Sequence, residues 1–119
     1  MLATVLVIVT LGHTDAPHVS FSATADAGEC ATKSETVTGM LAGAGYQIAA
    51  ARCIETDLRF APYDHAATEM DAAYLITLPA EPASGGTIDS LRGLSDCTAN
   101  PGADPAIHCA VSAQQLVED

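Results

Sequence analysis

Residues 26–56 read DAGECATKSETVTGMLAGAGYQIAAARCIET, a stretch that holds a helix start, a helix stop and the opening of a strand. Asp26 stands where a helix N-cap belongs and Glu29 follows three residues on, the reciprocal carboxylate pattern that satisfies the first free N–H groups of a helix. Thr32 with Glu35 is a second candidate start. Cys30, Ser34, Val37, Leu41 and Ala44 then recur at helical spacing, and Gly43 and Gly45 mark the stop. From Tyr46 to Phe60 the period changes to two: Tyr46, Ile48, Ile54, Leu58 and Phe60 share one parity, Ala49, Ala51 and Cys53 the other. Cys30 on the inner stripe and Cys53 on the next strand are sites that a helix-to-sheet staple joins. Cys53 nevertheless lies opposite the larger side chains. Either both faces are covered, with the helix on the small-residue face, or a bulge flips the phase.

Working outward, Leu2 to Leu11 (LATVLVIVTL) is the most apolar run. At ten residues it is half of what a membrane-spanning helix needs. It has the size of a signal-peptide core, with small-x-small patterns at Ala23-Thr24-Ala25 and Ala25-Asp26-Ala27. No Lys or Arg precedes it, however, and those patterns lie more than ten residues beyond its end. Its valines and isoleucine fit a strand buried on both faces, and a retained strand is the expectation. Past a Gly12 to Pro17 turn, His18 to Ala25 reads as a strand. Ala61 to Asp71 is a polar connector, and Ala72 to Leu78 a strand stopped by Pro79. After the loop from Glu81 to Gly86, Ile88, Leu91 and Leu94 mark a short second helix capped by Thr87. Ser95 to Pro105 is a loop. In the final strand Ile107, Cys109, Val111 and Ala113 are expected inward, with His108, Ser112 and Gln114 outward. The order is β-α-β-β-α-β, that of a ferredoxin-like α+β sandwich with two helices on an antiparallel sheet. The division expected is an apolar segment, 1–17, and one disulfide-stapled domain, 18–119, in a chain of 119 residues.

Fifteen acidic residues face four basic ones, Lys33, Arg52, Arg59 and Arg92, for a net charge of −11. Scattered cations leave no footprint for nucleic acid, and the net charge repels anionic headgroups. Such acidity suits a salty or extracytoplasmic medium. The four cysteines, Cys30, Cys53, Cys97 and Cys109, include no Cys-x-x-Cys pair, which removes the usual redox and zinc spacings and leaves two disulfides, Cys30 with Cys53 and Cys97 with Cys109. Closing those loops contributes about 3 kcal/mol each, which offsets a core built largely of alanine, with no tryptophan and five Phe and Tyr in all.

Candidate chemistry is sparse. His108 adjoins Cys109, but neighbours on a strand point to opposite faces, so His108 is a poor base for that thiol. His13, Asp15 and His18 cluster, as do Asp64, His65, Glu69 and Asp71, yet neither group has the spacing of a metal site. The run from Asp96 through Asn100 starts like a calcium loop and fails where Pro101 and Ile107 stand. Gly39, Gly43 and Gly45 end a helix, so they cradle no phosphate. Glu55, Asp57 and Arg59 mark the solvent side of their strand. No catalytic, metal or cofactor residue is assigned. These features point to a non-enzymatic structural or interaction protein, an extracytoplasmic subunit of a larger assembly such as a virion surface or envelope complex, with a protein partner. The alternatives are a secreted or periplasmic binding module and a small metal-assisted hydrolase built on Asp64 and His65.

Overall fold

The apolar first segment is a strand in the interior of a sheet. A computed structural model describes residues 3–11, 16–61, 72–81 and 85–116. In it β1 (Ala3–Leu11) pairs antiparallel with β2 (His18–Thr24) on one side and with β3 (Gln47–Thr56) on the other. Between β2 and β3 comes a single helix, α1 (Ala27–Gly43), and β4 (Ala72–Leu78), β5 (Thr87–Leu91) and β6 (Ala106–Ser112) complete a six-stranded sheet of order β3-β1-β2-β6-β4-β5. The Gly12 to Pro17 turn, the connector after Ala61 and the loop after Glu81 fall largely outside the described residues.

This architecture overturns the ferredoxin-like expectation. The sheet is mixed, because β2 and β6 run parallel, and the described residues hold one α-helix where two were expected. The segment read as a second helix is β5, paired with β4 from Ala73↔Leu91 to Thr77↔Thr87, followed by one 3-10 turn at Leu94–Asp96. Three apolar residues at helical spacing make only a two-turn helix, too short to hold itself. The open edge of β4 offers the same backbone a full ladder, and β-branched Thr87 and Ile88 favour it; of β5 only Ile88 is buried.

Two antiparallel units, β3-β1-β2 and β6-β4-β5, meet at the parallel β2–β6 junction, where the register contains one pair, His18↔Val111. Val111 N–H donates to Pro17 O at 2.9 Å. Beyond that point the Gln114 side chain acts as the missing strand: its Oε1 accepts from Phe21 N–H at 2.9 Å, and its Nε2 donates to Phe21 O and Ala61 O, both at 2.8 Å. Tyr74 Oη donates to Gln114 O at 2.7 Å, and Gln114 N–H donates to Ser112 Oγ at 3.1 Å. This corrects the phase expected for the last strand: His108, Ser112 and Gln114 are buried, with Ala110 between them. Polar residues are tolerated inside because Gln114 satisfies backbone groups that would otherwise be buried unpaired.

The inner face carries Val5, Val7, Val9, Val19, Phe21, Ile54, Tyr74, Ile76, Leu78 and Ile88 in one cluster. Ile54 and Ile88 belong to β3 and β5, the two edges of the sheet, so the sheet rolls until its edges face each other. Arg52 spans this seam, donating to Pro79 O and Gly85 O. Gly86 is required there, since a Cβ would stand 2.9 Å from Ile54 Cδ1 and 3.2 Å from Thr77 O.

The outer face of β1 and β3 takes α1. Leu6, Ile8 and Cys30 are buried together, with Val37, Leu41, Ile48 and Cys53 packed against them. Register shifts between Val9↔Ala50 and Thr10↔Ile48, leaving Ala49 as the extra residue. Both arrangements considered for Cys53 therefore hold: the helix covers its face, and a bulge turns Ile48 to join it. Asp26 Oδ1 accepts from Glu29 N–H at 2.8 Å, and Glu29 Oε1 accepts from Ala25 N–H at 3.3 Å. At the other end Gly45 adopts φ 94°, with Tyr46 N–H donating to Leu41 O at 3.0 Å and Gly45 N–H to Ala42 O at 3.1 Å, a Schellman closure. Glu55, Asp57 and Arg59 are exposed, as expected.

Both disulfides pair as expected. Cys30–Cys53 ties α1 to β3, whereas Cys97–Cys109 ties the residue after the 3-10 turn to β6 instead of tying a helix to it. Replacing Gln114 by Ala strands Phe21 and Ala61 backbone groups and is expected to cost about 2–4 kcal/mol in urea unfolding; a loss below the error of such a measurement removes it as the junction. Because α1 buries only Cys30 fully, the double change Cys30→Ala, Cys53→Ala is expected to speed amide exchange across 27–43 before that of β1. Equal acceleration in both contradicts a helix held by its staple.

Candidate functional site

One side of α1 presents Lys33, Val37, Met40 and Ala44, spaced so that they line up along the axis. The helix lies mainly over β3 and β1, which leaves the outward residues of β2 half-buried beside it. Register identifies those residues: Ser20 sits across from Ile8 and Ser22 across from Leu6, on the helix-covered face. Between helix and strand runs a groove of about 1130 Å³ that continues past Ala3 and Ala23 to Leu58, Arg59, Phe60 and Ala61.

Three aromatic rings pack together at the far end of the groove. Phe60 stacks on Phe21 with ring centroids 3.8 Å apart and planes 8° from parallel, and Tyr74 meets both rings edge-on at 5.2 and 5.8 Å. Phe60 also bridges to Leu116, and Ala61 N–H donates to Gln115 O at 2.9 Å, so the segment leaving β3 is tied across the end of the rolled sheet. Burial pushes the Tyr74 hydroxyl above its ordinary pKa and keeps it the neutral donor that Gln114 requires.

The lining is electrostatically distinct from the chain as a whole. Leu6, Ile8, Val37, Met40 and Leu41 give it apolar walls, Lys33 and Arg59 carry its positive charges, and among the described residues no Asp or Glu lines it, although the chain carries fifteen acids and four basic residues. Such a surface can bury an apolar group and hold one negative charge beside it. Among its described residues there is no paired general acid and base. Met40 is 68 % exposed at its lip, while the other large apolar side chains described are at least partly covered.

Cys30, Cys53, Cys97 and Cys109 are all oxidised and no thiol is free; His108 points into the rolled sheet while Cys109 takes the opposite face, itself buried where it bonds to Cys97. His13, Asp15, Asp64, His65, Glu69 and Asp71 lie outside the described residues. His18, the described member of the first cluster, has a buried Nε2 with no hydrogen-bond partner. Among the described residues no group of three or more His, Cys, Asp or Glu side chains could hold a metal ion, and no helix is long and apolar enough to cross a membrane. Sequence reasoning missed the groove itself. Met40, beside the Val37 and Leu41 stripe at helical spacing, was its one signal, since it widens the apolar arc of α1 beyond what β1 and β3 cover.

Comparison of the chain with protein-family models, curated proteins and solved structures finds no match.

Burial lowers the pKa of both His18 and His108 below the ordinary value of 6.5. Above pH 6.5 both are neutral whether the chain is folded or unfolded; as pH falls below 6.5 the unfolded chain takes up protons first, and stability is lost until the folded pKa values are passed. Urea unfolding from pH 7.5 to 5 is expected to show wild type losing stability relative to His18→Asn, His108→Asn, a difference that cancels the carboxylate titration common to both. Parallel profiles contradict the linkage.

Proposed function

We propose that this chain is a non-enzymatic, extracytoplasmic binding protein and that the groove between α1 and β2 is where it binds. The observation that carries the reading is the lining: apolar walls with Lys33 and Arg59 and, among the described residues, no acid, in a chain of net charge −11. Apolar concavity with a few placed polar groups is the usual form of a ligand site. The compartment is argued from the four cysteines, all consumed in two disulfides, since such bonds persist where thiols are not kept reduced. A rolled sheet braced at its seam and junction gives the groove a floor that does not need the ligand in order to form.

A second reading, a small subunit of a larger assembly such as a virion surface or an envelope complex, draws on Met40. A thioether 68 % exposed at the groove's lip is an adaptable contact for a protein partner. Native mass spectrometry of the protein recovered under non-denaturing conditions, wild type beside Met40→Glu, separates the two. A monomer carrying a small-molecule adduct that Met40→Glu loses is the expected result. A particle-bound chain released by Met40→Glu favours the assembly reading instead, and a bare monomer for wild type refutes both.

A further inference from the structure

We infer that the occupant of the groove is a single-chain amphiphile with one anionic head, its head at Lys33 and its tail along α1; this rests on the reading of the groove as the binding site. The wall from Lys33 through Val37 and Met40 to Ala44 is one helical stripe, about 16 Å long by helical rise, roughly the extended length of a dodecyl chain. Its charge sits at one end: Lys33 comes first, and helical side chains lean toward the N-terminus, which carries the ammonium away from the apolar stretch. Ser20 and Ser22 line the same cavity from β2 and offer hydroxyl donors to an anionic head.

The charge pattern selects both the sign and the size of the ligand. A cationic head would meet Lys33 and, among the described lining residues, no carboxylate. An acidic polypeptide would set each charge beyond its first against a surface of net charge −11, whereas an amphiphile presents a single charge, to Lys33. The rest of the ligand needs only apolar surface, and burying methylenes there supplies affinity in proportion to chain length.

Isothermal titration of the disulfide-intact protein with dodecanoate, dodecanol and dodecyltrimethylammonium, each below its micelle concentration, tests this. Dodecanoate is expected to bind one to one, with dodecanol, the cationic amphiphile and the Lys33→Gln variant each weaker by about tenfold, and Lys33→Arg restored. Met40→Glu, at an exposed position that folding tolerates, is expected to weaken dodecanoate as well, and each methylene removed from the chain to weaken it by about twofold in a groove open on one side. Absence of saturable dodecanoate binding, equal affinity in Lys33→Gln, or preference for the cationic head overturns the proposal. If dodecanoate fails while Met40→Glu still strips a co-purifying molecule from the native protein, the ligand class falls and the groove remains the binding site; if both fail, both fall.

Discussion

Two antiparallel three-stranded units meet along a junction at which β2 and β6 share one register pair, and Gln114 supplies the bonds that the backbone does not. Its amide satisfies both the N–H and the C=O of Phe21, as a neighbouring strand would, and reaches Ala61 as well. Everything else in the rolled sheet depends on that closure. It sets the angle between the halves, which brings the β3 and β5 edges close enough for Arg52 to span them and for Gly86 to be the one residue that fits. It also holds Phe21 where Phe60 can stack on it. A buried amide with all its partners in place specifies a single geometry, whereas the same amide with one partner missing costs the full desolvation of the group left behind.

The helix is attached by different means. α1 buries only Cys30 completely, while Val37 and Leu41 are half-covered, so area alone gives it a modest hold on the sheet. The disulfide to Cys53 compensates by limiting the unfolded chain. A helix pinned near its N-terminal end and only partly sunk into the sheet leaves its flank open. The groove is thus a consequence of how this core is built: small side chains lower the cover that α1 provides, the covalent staple makes that tolerable, and the uncovered strip between α1 and β2 becomes a surface with apolar walls.

Charge then gives that strip its character. With fifteen acids and four basic residues, any surface on this chain is expected to be acidic. The described lining of the groove is not, because Lys33 on α1 and Arg59 beyond β3 both line it while the acids of the same segments, Glu29, Glu35 and Asp57, stand exposed outside it. An ammonium beside apolar walls is partly shielded from solvent, and there a single ion pair counts for more than it does on an open surface.

The sequence by itself determined the local elements whose signals are local. α1 was legible from its capping carboxylates and terminal glycines, β1 and β4 from their apolar runs, and both disulfides from cysteines placed on the inner stripe of one element or just past its end and on the strand that follows. What it could not decide were choices made by distant partners. The Ile88, Leu91 and Leu94 spacing suits a helix until the free edge of β4 is present to pair with it. The phase of β6 looks polar-out until Phe21, 93 residues away from Gln114 in the chain, presents the backbone groups that make a buried amide favourable. The candidate site was legible only in Met40, because Lys33, Ser22 and Arg59 lie on separate elements and come to line one groove through the register of β1 with β2 and the path of the chain after β3. Short-range periodicity encodes which face of an element is apolar; only the tertiary structure decides what that face meets, since the free energy of pairing and burial belongs to both partners at once.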